Sequence, residues 1–289
     1  MKYTKLSRKQ FRKNIGYIFL GMLLCVGVFA PLVWMFFTSV MPEKDLTAHP
    51  LSLIPKSVTF KRYYDIFHSS DVSNIAYAFR VALKNSIIIA VIVTLLSLVI
   101  GCMAAYAFAR LRFKGRNFLM LLILFTYMLP PVALVLPMYR MFQKMGLLNT
   151  KTGLTILYLS FIIPFIIWIM QGFFGSISKS YEEAAEIDGA SRIQIFLHIF
   201  LPMARPGAIA TGILALLMAW DEFFYSLIFT SNLDAKTITV AITEFNGKFT
   251  IDYGMISTAG IIGSLIPVLI TLAFQKYIVM GMSAGGIKE

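Results

Sequence analysis

Six apolar stretches, each close to 20 residues long, constrain this chain more than any other feature. They lie near 15–37, 83–109, 118–138, 154–175, 207–229 and 254–276. A hydrocarbon core about 30 Å thick needs about 20 helical residues to cross it. Lipid admits only structures that satisfy their own backbone hydrogen bonds. The expected fold is therefore all-α, a polytopic membrane protein with six transmembrane helices. Composition agrees: 58% of residues are hydrophobic and 14% charged, against roughly a quarter charged in soluble domains.

The net charge of +12 raises the question of nucleic acid, and its placement answers it. Lys2, Lys5, Arg8, Lys9, Arg12 and Lys13 crowd the N-terminus with no acid among them, and Arg110, Arg112, Lys114 and Arg116 crowd the link between the second and third spans. Basic clusters beside spans mark the cytoplasmic side. Both termini and the segment 176–205 are then expected in the cytoplasm, and no nucleic-acid partner is expected. The first apolar run exceeds the length of a cleavable signal core and lacks a small-x-small site, so it reads as a permanent anchor. Cys25 and Cys102 fall inside apolar runs and read as small apolar side chains. His49, His68 and His198 show no metal-ligand spacing, and no phosphate-binding glycine loop is present. Neither catalysis nor a bound cofactor or metal is expected in this chain.

Prolines interrupt several spans: Pro31, then Pro130, Pro131 and Pro137, then Pro164 and Pro267. Each removes a backbone donor and kinks its helix. Small residues gather in the last two spans (Gly207, Ala208, Ala210, Gly212 and Ala215, then Gly254, Gly260 and Gly263) and permit close helix approach. The organisation expected is an anchor with an external insertion over 1–82, a compact membrane block over 83–277 including a helix pair near 180–202, and a tail over 278–289.

That helix pair is the polar exception between apolar runs. Ser180 stands three residues before Glu183, and Ser191 three before Gln194, each fitting a capping box. Gly189 suits the left-handed turn that ends a helix, and Pro202 discourages helical continuation through Leu201. Ile193, Phe196, Leu197 and Phe200 are expected on one apolar face. Glu182, Glu183, Glu186 and Asp188 make the first helix acidic. Anionic lipid would repel such a cluster, whereas a protein groove containing arginine would accept it. The pair reads as a docking element for another protein.

These residues also resemble a known pattern. Glu183-Ala184-Ala185, Gly189 and Ile199-x-Leu201-Pro202 are similar to the EAA signature of ABC importer permeases. The stretches 186–191, 220–223 and 277–288 resemble the carbohydrate-uptake type, specifically its maltose-transporter-type subunit. The resemblance implies a type-1 ABC importer permease fold with coupling helices at 180–202. It implies that Glu183, Ala184, Ala185, Asp188 and Gly189 meet an ATPase subunit, with Ile199, Leu201 and Pro202 fixing the exit into the fifth span. It assigns Ser283, Ala284, Gly285 and Gly286 to contacts between two ATPase subunits.

On this resemblance the chain is a permease subunit importing a sugar, oligosaccharide or related polyol across a bacterial cell membrane. Its implied partners are a second homologous permease, a dimer of ATPase subunits that bind ATP and Mg, and an external solute-binding protein. Trp220, Asp221 and Glu222 are candidates for the translocation path or for the outer interface. Relatives commonly carry Trp-Asn where this chain has Trp220-Asp221. The alternatives are an ABC permease for a phosphorylated polyol or polyamine, or an ion-coupled transporter using Asp221 and Glu222.

Overall fold

A computed structural model of the chain describes residues 8–48, 53–71, 74–245 and 252–284, with backbone alone at 8–15 and 278–284. Every regular element among them is helical. The order is α1 (Arg8–Val40), α2 (Glu43–Leu46), α3 (Lys61–His68), α4 (Ile75–Arg110), α5 (Arg116–Met128), α6 (Pro131–Lys144), α7 (Lys151–Ser176), α8 (Ser180–Ile187), α9 (Arg192–Ile195), a π-turn at Phe196–Phe200, α10 (Leu201–Met203), α11 (Arg205–Trp220), α12 (Phe224–Phe229), α13 (Ile238–Thr243) and α14 (Tyr253–Ala284). His49 lies outside the described residues.

Among the described residues, four helical segments are long and apolar enough to cross a membrane: Gly16–Val40, Ile75–Arg110, Lys151–Ser176 and Tyr253–Tyr277. Two bent pairs raise the number to six when each is counted as one span. The third expected span is therefore not one straight helix. α5 and α6 meet at 94°, because Leu129 and Pro130 both precede a proline and take extended backbone, with ψ 130° and 128°. The fifth expected span also stops early, at Trp220. Glu222 ends it by turning its carboxylate onto the chain ahead, accepting hydrogen bonds from the Tyr225 and Ser226 amides at 2.7 and 3.1 Å. Pro31, Pro164 and Pro267 are absorbed inside continuous helices.

The chain divides into two units. One comprises 1–68 with 245–262. Here Arg62 closes the exit of α1, donating to the carbonyls of Met41 at 2.6 Å and Ser39 at 3.3 Å. Those oxygens lack helical partners, so a guanidinium is a fitting cap. Gly254 leaves the room that the Arg62 side chain occupies.

The other unit comprises 69–244 with 263–289. α4 packs along α7 and α11. Approach is close: a Cβ on Gly101 would stand 2.5 Å from Ile166, and one on Gly212 2.8 Å from Leu98. Such contacts hold helices together where lipid removes the hydrophobic drive. Asn85 and Ser86, buried in α4, hold the α12–α13 region. The Asn85 amide donates to the carbonyls of Leu233 and Lys236, and the Ser86 hydroxyl accepts from the Ile238 amide at 2.8 Å.

Candidate functional site: the docking helix pair

The segment joining α7 to α11 folds as two short helices around a tight turn. α8 ends at Ile187 with Asp188 as its cap residue, and Gly189 adopts φ +77°. The Ala190 amide donates back to Ala185 O at 2.9 Å and the Gly189 amide to Glu186 O at 3.1 Å, which is the Schellman arrangement. The second helix starts on the expected capping box: the Ser191 amide donates to Gln194 Oε1 at 2.8 Å, and the Gln194 amide to Ser191 Oγ at 3.4 Å.

Three expectations are corrected. Ser180 does not cap α8. It is already helical, Lys179 precedes it as the cap residue, and the Ser180 hydroxyl pairs instead with Ser178 at 2.8 Å. Pro202 does not stop the helix. The π-turn ahead of it widens the backbone, with the Leu201 amide reaching Phe196 O, so a residue lacking an N–H fits within α10. The corner comes later, at buried Ala204, where 192–203 meets α11 at 79°.

The apolar face also differs. Ile195, Phe196 and Phe200 are buried, whereas Ile193 and Leu197 are exposed. Ile195 and Phe200 are five apart, the spacing that a π-turn aligns. The buried side chains meet an aromatic seat at the ends of α4 and α7. Tyr106 lies 5.2 Å from both Phe196 and Phe200 between ring centroids, and Phe174 touches all three rings.

Charge is partitioned within the pair. Glu182 is spent internally: its side chain is 12% exposed and pairs with Arg110 at 3.0 Å and Arg192 at 2.6 Å. Glu186 pairs with Arg192 at 2.8 Å. Glu183 and Asp188 stay exposed, beside Ile187 at 87% exposure and Ala184. Ala185 is buried. Two cations neutralise two carboxylates, and the two remaining carboxylates point a net negative, partly apolar surface outward. A hollow of about 320 Å³ beside the turn is lined by Asp188, Gly189, Gln194, His198 and Ile199 among others.

Sequence reasoning missed Arg110 and Arg192 as parts of this site. Arg192 follows the capping serine and was legible as an i+10 partner only once the turn was known. The Arg110 contact also places the basic 110–116 link and the helix pair at one end of their unit.

The other candidates are placed as follows. Trp220 is 4% exposed, and its indole Nε1 donates to Gly263 O at 3.2 Å. Glu222 is half-buried and engaged with α12, and its carbonyl accepts from Thr239 at 2.7 Å. Asp221 is exposed at the break between α11 and α12. Ser283 and Ala284 end the α14 backbone, and Gly285 and Gly286 lie outside the described residues.

Comparison with known proteins adds to this geometry. Residues 97–284 match the family described as binding-protein-dependent transport system inner membrane component. The chain is 34% identical to the trehalose/maltose transport system permease protein MalG of Thermococcus litoralis, covering 97% of this chain and 99% of that one. It is 35% identical to the trehalose transport system permease protein SugB of Mycobacterium tuberculosis, covering 89% and 92%. Among solved structures, a chain of a bacterial ABC transporter involved in import of the acidic polysaccharide alginate aligns with TM-score 0.77 at 26% identity, covering 95% of this chain and 99% of that one.

Proposed function

The chain belongs to the binding-protein-dependent transport system inner membrane components, and from that premise we propose that it forms half of the translocation path of an ATP-driven importer for a sugar or oligosaccharide. Relatives along nearly its whole length are named for trehalose, maltose and sulfoquinovosyl glycerol transport, which supports the carbohydrate class. The path is completed by a second, homologous permease. A solute-binding protein delivers the substrate from outside, and a pair of ATPase subunits carries ATP and Mg on the cytoplasmic side. Membership in this family sets aside the ion-coupled alternative.

The observation that carries the reading is the division of charge in the helix pair. Glu183 and Asp188 remain exposed beside Ile187 while Glu182 is neutralised within the chain. A basic cleft on an ATPase subunit would receive that surface through charge-assisted hydrogen bonds. Closure of the ATPase dimer would then push the helix pair as a lever and turn the cavity outward. Ile199, Leu201 and Pro202 shape the exit toward α11, and the helical end at Ser283 and Ala284 leads into a tail that reaches the ATPase subunits. Of the path candidates, Asp221 is the side chain left accessible to solute, and Trp220 supports the wall behind it.

The test is ATP hydrolysis by the purified complex in proteoliposomes with its binding protein. Trehalose, maltose, diacetylchitobiose and a sulfonated glycoside are compared with spermidine and a phosphorylated polyol. Stimulation by a neutral or sulfonated carbohydrate alone is expected. Stimulation by spermidine or the phosphorylated polyol alone would overturn the carbohydrate assignment.

A further inference from the structure

One buried charge at the end of α4 has no task in the docking surface itself. The Arg110 side chain is 4% exposed. Its guanidinium meets three parts of the chain: Nε donates to Glu182 Oε2 of α8 at 3.0 Å, one Nη donates to Ile177 O just past α7 at 3.1 Å, and Cζ lies 4.8 Å from the ring centre of Phe200. The other Nη is buried with no hydrogen-bond partner. A planar fork serves several directions at once, which a lysine ammonium on the same stem does not.

The chain connections on both sides of the helix pair are poor transmitters of force. Toward α7 the backbone turns through extended Ile177 (φ −72°, ψ 134°) and the short stretch to Lys179. Toward α11 it turns by 79° at Ala204. Both are places where a push would be absorbed as bending. The aromatic seat of Tyr106, Phe174, Phe196 and Phe200 fixes distance but permits sliding. The Arg110–Glu182 bond is directional, and it joins α8 straight to the last turn of α4, a helix of 36 residues.

We propose that Arg110 is a positioning residue that locks the docking pair and α4 into one rigid body, so that displacement of α8 reaches the path along α4. Arg192 completes the lock from the far side by holding the other Glu182 oxygen at 2.6 Å. This inference rests on the docking role given to the helix pair.

The test uses the assembled transporter, with Cys25 and Cys102 replaced by serine and spin labels at Ile187→Cys on α8 and Met103→Cys on α4. Restricted motion of the Ile187 label on adding ATPase subunits reports docking. The label-to-label distance, measured without nucleotide and after trapping with ATP and vanadate, reports the lock. The distance is expected to stay within about 2 Å between states, below the one-turn displacements of ratcheting elements. In Arg110→Met, and independently in Glu182→Gln, the distribution should at least double in width, with Arg110→Lys in between. A restricted Ile187 label with a state-dependent distance in the native chain overturns the lock alone. An unchanged distribution in both variants overturns it as well. A label that remains mobile with ATPase subunits present overturns the docking reading, and the lock with it.

Discussion

Arg192 Nη1 stands 2.6 Å from Glu182 Oε1 across the turn at Gly189, so the two helices of the pair are tied to each other as well as, through Arg110, to α4. The two cations holding Glu182 differ in environment, since the Arg192 side chain is 57% exposed and that of Arg110 is buried. Arg192→Ala should cost about 0.2–1 kcal/mol, as exposed ion pairs do, and lose its effect in high salt. Glu182→Gln should cost about 3–5 kcal/mol, because it leaves a buried guanidinium without its counter-charge. Thermal unfolding of the detergent-solubilised complex, followed by loss of the monodisperse peak, separates the two.

Gly189 predicts a purely conformational defect. A Cβ there would meet no atom within 4 Å, yet φ is +77°. Gly189→Ala should therefore strain the turn by about 1–2 kcal/mol, and Gly189→Asn should be milder because Asn tolerates the left-handed region. Coupled uptake measured beside ATP hydrolysis should rank glycine above asparagine above alanine.

Packing between α4 and α7 is testable by a cycle. Gly101→Ala drives a methyl to 2.5 Å from Ile166 Cγ2 and should cost about 1–3 kcal/mol, as overpacking does. Ile166→Ala, which removes that Cγ2, is then combined with it to see whether the pair couples. Removing the Cγ2 that the new methyl meets should make the double variant less costly than the sum of the two single losses, giving a non-additive cycle in thermal stability.

Trp220 and Asp221 should part company. Trp220→Ala removes a buried ring and its hydrogen bond to Gly263 O, with a cost of about 3–5 kcal/mol and lowered yield of folded complex. Asp221→Asn keeps the shape of an exposed side chain and should leave stability within about 0.5 kcal/mol. A change in KM for uptake with unchanged stability is the signature expected of a path residue.

The sequence told most where one residue acts on its own neighbours. The apolar runs located the membrane helices, Gly189 the turn, and Ser191 with Gln194 a capping box that the structure contains in both halves. It misled where a local pattern had competitors. Ser180 matches the box equally well, but its hydroxyl finds Ser178 first. Helical spacing put Ile193 and Leu197 on the buried face, and the π-turn shifts that register. Hydropathy ran the fifth span past Glu222, whose carboxylate in fact starts α12. Arg110 was legible only as one basic charge among four, since its partners at 177, 182 and 200 are far away in sequence.

The central claim, that the helix pair is the ATPase-facing element, is tested most directly by accessibility. Exposed Ile193 is replaced by cysteine in a Cys25→Ser, Cys102→Ser background, and inverted membrane vesicles are treated with an impermeant maleimide. Rapid labelling of the permease pair alone, and strong protection once ATPase subunits are bound, is the predicted result. Equal labelling rates with and without the ATPase subunits would contradict the account.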